Sequence, residues 1–471
     1  MITGKILKLH DWPDGKIIGI AKKIAAELEE QGLSRGPILA RLDAVRSNPD
    51  AFLADPFMAS LARECMRIAP KAEDKLNDLR ESPLPYPIWG REGIDSGSLA
   101  QMDNAMRLPV SVAGALMPDA HLGYGLPIGG VLAAENAVIP YAVGVDIACR
   151  MCLSLYAVSP YLLGQKKGLF EDALRNQTAF GMGAEWKGSR RPDHAVLDDE
   201  SWDATRLLKS LQDLAARQLG TSGTGNHFVE WGIFQLYEPL YDLQPGSYLA
   251  LLSHSGSRGV GFKIADCYSK LAMEKHPDLD KSVRHLAWLS LDSEEGQEYW
   301  LSMELAGRFA AAGHAVIHQR VSNAVGLKAA AMVDNHHNFA WQYKLPDGKN
   351  VIVHRKGATP AGKGALGVIP GSMGDAGYVV RGRGSAASLD SASHGAGRMM
   401  SRKAALDSIS KSSRDNYLKE RGVTLLGGGL DESPQAYKPI DQVMQDQSDL
   451  VDIIGKFSPR IVRMADEAGE I

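Results

Sequence analysis

Short apolar runs that break off in glycine-rich turns constrain this chain more than any other feature. "GVLAAENAVIPYAVGVDIACRMCLSLYAV", "SYLALLSHSG" and "NVIVHRKGA" carry β-branched and apolar residues and are bounded by glycines. Runs of this kind read as strands. The helical stretches "DATRLLKSLQDLAARQLG" and "EEGQEYWLSMELAGRFAAAGHAVIHQRVSNAVG" fall between them at irregular intervals. There is no βαβ rhythm, so the expected class is α+β. The 49 glycines among 471 residues exceed the usual share of about 7% and cluster in the middle and C-terminal thirds. Glycine in a turn permits positive φ and close backbone approach, as phosphate sites require.

Residues 1 to about 85 read differently. Ile17, Ile20, Ile24 and Leu28 recur at helical spacing, with Lys and Glu opposite and Gly32 as a stop. Two or three further short helices are expected around Pro49 and Pro56. This segment carries no evident chemistry and is expected to be a packing or partner-docking extension. The Pro-rich "ESPLPYPIWG" reads as a linker. The expected domains are therefore 1–85, a helical extension, and 86–471. Four cysteines in so long a chain are not a disulfide framework. No secretory h-region and no apolar run near the roughly 18 residues of a membrane span is found. The expectation is a cytoplasmic protein without a membrane partner. A net charge of −4 excludes a global basic field, so any nucleic acid must be held by a local patch.

Several motifs carry chemistry. In "VGVDIACRMC", Asp146 and Cys149 offer a carboxylate and a thiolate three residues apart, suited to a borderline-soft divalent cation. Cys149 and Cys152 also form a C-x-x-C, but no second pair completes a zinc site. "GTSGTGNHFVEWG" brings Asn226, His227 and Glu230 out of a glycine-rich turn that is not a Walker A loop. "LLSHSGSRGVG" delivers Ser253 and His254 into a turn with Arg258, and "MVDNHHNFAW" offers His336, His337 and Asn338. Asp146, Cys149, His227, His254 and His337 together would make a two-metal set with a bridging thiolate. Mn, Zn, Fe or Co would all suit it. Arg355 and Lys356 end a strand, and Ser372 sits in "PGSMG". In "SASHGAGRMMSRKA", His394 is followed by Arg398 and Arg402. The spacing predicts a helix from about Gly397 with both arginines on one face, repelling unless an anion such as phosphate sits between them. Asp119 and His121 in "LMPDAHLGYG" are an acid or base near the metals, or a tight turn.

Taken in order, "MPDAHLGYG", "VGVDIACRM", "GTGNHFVE", "HSGSRG", "HHN", "RKGATPA", "PGSMG", "SHGAGRMMSR" and "AYK" resemble the RtcB family of RNA-splicing ligases over about residues 86–464. The resemblance implies one large catalytic domain. It also implies a GTP- and Mn²⁺-dependent ligase joining RNA 2′,3′-cyclic phosphate or 3′-phosphate ends to 5′-hydroxyl ends, in splicing, repair or tRNA processing. By the same resemblance His394 takes GMP and Asp119 assists. Two Mn²⁺ ions fall on Asp146, Cys149, His227, His254 and His337, with the cysteine between them. Nucleotide contacts fall on Asn226, Glu230, Ser372, Gly395, Ala396 and Tyr437. RNA and phosphate contacts fall on Arg258, Lys356, Arg398 and Arg402. Three features depart from the family pattern: Met464 stands near an expected lysine, Gly377 replaces a serine, and residues 1–85 are additional, offering a surface for an activating protein. A metal-dependent phosphoesterase without guanylylation and an RNA-end-binding damage sensor are the competing expectations.

Overall fold

The computed structural model describes residues 2–10, 12–13, 15–68 and 78–466. Residues 69–77 of the expected extension and 467–471 of the C-terminal "RIVRMADEAGEI" lie outside the described residues. The chain divides into two compact units, Met1–Leu76 and Asn77–Ile471.

The first unit is helical: Gly4–Leu9, Lys16–Glu30, Arg35–Ser47 and Ala59–Ile68. In Lys16–Glu30 the buried stripe is Ile17, Ala21, Ile24, Ala25 and Leu28, with Ile20 at its edge. That stripe meets Ile38, Leu42 and Val45 of the next helix. The Trp12 indole N–H donates to Asp43 at 3.1 Å.

The second unit is built on two larger sheets, and it bears out the α+β expectation. The larger sheet runs in the order Leu366–Ile369, Gly377–Gly382, Val451–Met464, Phe228–Leu236, Gly246–Ser255, Arg150–Tyr156 and Ala331–His336. Thr424–Leu426 joins it in parallel beside Val451–Met464; the other pairings are antiparallel. The smaller sheet runs Ser111–His121, Ile128–Ala134, Asn350–Lys356, Asn338–Lys344. Strand alternation sorts the larger sheet into two buried faces. Met151, Leu153, Leu155, Ala250 and Leu252 belong to one apolar cluster, while Tyr156, Leu249 and Leu251 join Ile317 and Val321 of the helix Glu294–Ala324 in another. With both faces covered, these strands read as near-continuous apolar runs.

The chain passes from one sheet to the other at a single residue. Ala331–His336 belongs to the larger sheet and Asn338–Lys344 to the smaller, so His337 is the joint. The end of Ser111–His121 and the end of Asn350–Lys356 come to the same corner.

The Pro-rich stretch is not a free linker. Trp89 N–H donates to the Leu116 carbonyl, and Leu116 N–H to the Pro87 carbonyl. Leu84, Tyr86 and Ile88 pack on the core of the second unit. Arg80 donates to the Pro109 and Ser111 carbonyls at 3.1 and 2.9 Å. Proline lacks an N–H and suits such a sheet margin, while the apolar residues between the prolines are half-buried. The Pro-rich stretch is thus part of the second unit. Among the described residues no helix is long and apolar enough to cross a membrane.

Candidate functional site

One carboxylate oxygen organises the residue that the sequence marks most sharply. Asp119 sits near the end of Ser111–His121 and is fully buried. Its Oδ2 accepts from His394 N–H at 2.9 Å, from His394 Nδ1 at 2.7 Å and from Gly395 N–H at 3.3 Å. A carboxylate can only accept, so Nδ1 of the neutral ring carries the proton and Nε2 keeps its lone pair. Lys438 fixes the strand from behind, donating to the Pro118 and Ala120 carbonyls at 3.0 and 2.8 Å. The His394 ring lies 4.9 Å, centroid to centroid, from His337.

The glycine after Ala396 permits this approach. Gly397 has φ +73°, and a Cβ there would stand 2.1 Å from the Asp119 carbonyl oxygen. Gly397→Ala is expected to lower stability by about 2 kcal/mol or more, because both the left-handed backbone and a backbone atom oppose the methyl. A thermal melt reads the loss, and an unchanged melting temperature refutes the close packing.

Next to His394 five donor groups converge. Cys149 Sγ lies 3.4 Å from His227 Nε2 and 3.1 Å from His254 Nε2. His254 Nε2 lies 3.3 Å from His337 Nε2, and His227 Nε2 lies 3.0 Å from Asp146 Oδ2. His254 Nδ1–H donates to the Asn226 carbonyl at 3.0 Å, which leaves Nε2 unprotonated toward the thiol. Gly223 N–H donates to His227 Nδ1 at 3.2 Å, and His227 Nε2 faces Cys149 and Asp146. Gly256 lets this happen: a Cβ there would lie 2.1 Å from Asp146 Oδ1.

Spacings of 3.0–3.4 Å match ligand edges around a cation bound at about 2.0–2.3 Å. Burial, and then the Asp146 carboxylate, pushes the Cys149 thiol up. Burial, and then His227, brings His254 down to about 3. His337 Nδ1 is buried with no hydrogen-bond partner among the described residues. A bound cation reverses the first shift and suits the second, since it takes thiolate and neutral imidazole. Cys149, His227 and His254 form a cluster that could hold a metal ion, and Asp146 and His337 adjoin it.

The arginines depart from expectation. The helix begins at Arg402, not Gly397, because Ser401 caps it through its hydroxyl to Ala404 N–H. Arg398 instead forms an isolated β-bridge with Tyr437. A protein carboxylate stands between the two arginines. Glu432, buried at 2% exposure, accepts from Arg398 Nη1 at 3.0 Å and pairs with Arg402. Asp431 pairs with Arg402 as well, and the Tyr437 hydroxyl donates to Glu432. Sequence reasoning passed over Glu432. Its only local signal is an acidic pair after the "GGGL" turn, and the pairing is tertiary.

A cavity of about 530 Å³ gathers most of the expected residues. Asp146, Cys149, Asn226, His227, His254, His337, Lys356, Ser372, His394, Gly395, Ala396, Arg398, Arg402 and Tyr437 line it, with Glu432 and Met464. Lys356 is held by the Tyr124 carbonyl, and burial pulls it down to about 7. The Ser372 hydroxyl is engaged by Asp375. Asp119 stands behind His394. Two expected contacts are not on the wall. Arg258 lies behind the 220–227 turn, donating to Thr221 Oγ1 at 3.3 Å and the Gly181 carbonyl at 2.8 Å. Glu230 is buried in Phe228–Leu236, raised by burial, with Oε2 unpartnered among the described residues.

Comparison with known proteins gives one consistent answer. A family model described as tRNA-splicing ligase RtcB matches residues 101–465. The chain is 31% identical over 403 residues to an RNA-splicing ligase RtcB of Escherichia coli K12, covering 79% of this chain and 95% of that protein. It is 32% identical over 436 residues to a tRNA-splicing ligase RtcB of Nanoarchaeum equitans, covering 77% and 90%. The similarity to an RNA-splicing ligase RtcB of Mycobacterium tuberculosis is 29% over 411 residues, covering 73% and 95%.

Proposed function

The chain belongs to the RtcB family of RNA-splicing ligases, and from that premise we propose that it joins broken RNA ends through a guanylylated His394. The observation that carries this reading is the 2.7 Å hydrogen bond from His394 Nδ1 to Asp119. It leaves Nε2, the atom facing the cavity, as a nucleophile.

Asp146, Cys149, His227, His254 and His337 would hold two Mn²⁺ ions, with Cys149 as a thiolate. When bound, the ions neutralise phosphate charge and polarise the phosphorus under attack. His394 Nε2 attacks the α-phosphorus of GTP. An N–P bond forms and pyrophosphate leaves. The ring is then cationic, with Nδ1–H still on Asp119, whose carboxylate offsets the charge. GMP passes to a 3′-phosphate oxygen of the RNA, releasing His394. The 5′-hydroxyl of the second RNA attacks that phosphorus, a 3′,5′-diester forms and GMP leaves. A 2′,3′-cyclic phosphate is first opened by water. Lys356, Arg398, Arg402 and Asn226 serve the phosphates, and Ser372, Gly395, Ala396 and Tyr437 the nucleotide. Arg258 and Glu230 act from behind the wall, Arg258 by fixing the turn that bears His227.

Asp119→Asn is expected to slow guanylylation about 10²–10³-fold with little change in the KM for GTP. The amide can still accept from Nδ1, but it brings no charge to offset the cationic ring. A rise in KM without loss of kcat would assign Asp119 to binding instead.

A phosphoesterase reading rests on Met464, which presents an apolar thioether to the cavity. One experiment separates the two. The protein is incubated with α-labelled GTP and Mn²⁺ and denatured. Acid-labile label on the polypeptide is the expected result. Metal-loaded protein that takes no label, yet opens cyclic phosphates regardless of GTP, overturns the ligase reading.

The cytoplasmic location and a co-acting protein at residues 1–85 belong to the same proposal. Deleting the helical unit tests the latter: basal guanylylation should persist.

A further inference from the structure

We propose that Cys152, His314 and His318 bind a structural zinc ion on the face of the larger sheet opposite the Cys149 cluster. All three side chains are buried, and one donor atom of each lies within 4.8 Å of the others.

The site is formed by two elements of opposite periodicity. In Arg150–Tyr156, Cys152 points to the face opposite Met151. In Glu294–Ala324, His314 and His318 are one turn apart, at the i, i+4 spacing that puts two imidazoles on one helical face. In register with Cys152 is Ser253, on the neighbouring strand. Its hydroxyl lies 2.7 Å from His314 Nδ1 and 2.8 Å from His318 Nε2. Two ring nitrogens are thus aimed at one point, beside a thiol.

One imidazole is already set for ligation, and the other can become so by a change of tautomer. His314 Nε2–H donates to the Ser255 carbonyl at 3.2 Å, which fixes Nδ1 as the unprotonated atom. His318 Nδ1 lies 2.7 Å from the Ser154 hydroxyl, which can turn to accept its proton when Nε2 binds metal. Cys₁His₂ with the Ser253 hydroxyl or a water as fourth ligand suits tetrahedral Zn²⁺. An apolar interior would pack this helix on its sheet without five polar side chains, and a metal clip accounts for them together. Ser253 and Ser255 flank His254, so an ion here braces the strand that carries a ligand of the first cluster.

The test uses the full chain. Cys149→Ala removes the thiolate of the first cluster. Produced with cobalt and dialysed against EDTA, this variant is expected to keep one equivalent of metal. It should show a thiolate-to-cobalt charge-transfer band and tetrahedral d–d absorption. Adding Cys152→Ser should abolish the band. Adding His318→Gln instead should weaken metal retention at least about tenfold. A Cys149→Ala protein that is folded by circular dichroism but holds no metal overturns the proposal. So does a band that survives Cys152→Ser, since it then belongs to Cys65 or Cys267. Should Cys152→Ser not fold, the His318→Gln variant decides: unchanged metal retention there overturns the proposal too.

Discussion

His394→Ala is expected to reduce RNA joining by about four orders of magnitude or more, while binding of 3′-phosphorylated RNA stays within a few-fold of wild type. The reason is covalent. In the proposed reaction His394 Nε2 is the atom that bonds to phosphorus, and alanine offers nothing in its place. The cavity wall around it is supplied by separate elements, so Lys356, Arg398 and Arg402 remain on it. Two readouts check this. Labelled GTP should leave no acid-labile label on the variant, and a gel-based ligation with synthetic ends should show no product. RNA already activated as its 3′-guanylylated form should still be sealed, because that step no longer needs the nucleophile. Failure on the activated RNA would mean that the substitution damaged the pocket. Residual label on the variant would assign the nucleophile elsewhere.

The second large effect concerns Cys149→Ala. Its thiol is within 3.4 Å of His227 and 3.1 Å of His254, so one sulfur serves both halves of the donor set. Losing an outer ligand such as Asp146 weakens one half. Losing the shared sulfur would weaken both and remove the thiolate that a bound cation would draw out. Guanylylation is expected to fall about 10³-fold or more, and both Mn²⁺ equivalents of this cluster should be lost in a metal assay. Asp146→Ala should lose one. If Cys149→Ala lost a single equivalent, the sulfur would belong to one ion and the shared-thiolate arrangement would be wrong. The apo fold should survive, since the neighbouring histidines keep hydrogen bonds to backbone at Asn226 and Gly223.

Much of this site was legible before any coordinates, for a definable reason. His254 lies near the end of an apolar strand, His227 stands just before one, His337 joins two, and Asp146 follows a glycine turn. Strand alternation and turn chemistry are local, so the chain reports them directly. The metal donors and His394 were readable in that way, and the α+β class followed from the irregular mixing of runs. What was misread depends on partners distant in sequence. Arg398 and Arg402 have helical spacing, but Ser401 starts the helix one residue before Arg402, and Glu432 arrives from thirty residues on. "ESPLPYPIWG" has linker composition, yet its Leu84, Tyr86 and Ile88 are drawn onto a core that composition does not announce. Arg258 and Glu230 sit in motifs that reach the cavity, but their own side chains turn behind its wall. His314 and His318 were visible as "HAVIH". They passed as part of a long helix, because only the sheet behind it supplies Cys152 and Ser253.

Glu432 has a consequence for which phosphates this site can seize. Two guanidinium groups are already satisfied by its carboxylate, so an arriving anion meets a competitor rather than an open cation. A phosphodiester within an RNA strand carries one negative charge, no more than the carboxylate it would displace. A terminal phosphate carries nearly two at neutral pH and has three oxygens to offer. In the proposed reaction the resident carboxylate would act as a threshold: it would hold the arginines back from singly charged phosphates within a strand and yield them to an opened 3′-phosphate end. Discrimination of this kind comes from the charge of the end alone and requires no reading of sequence.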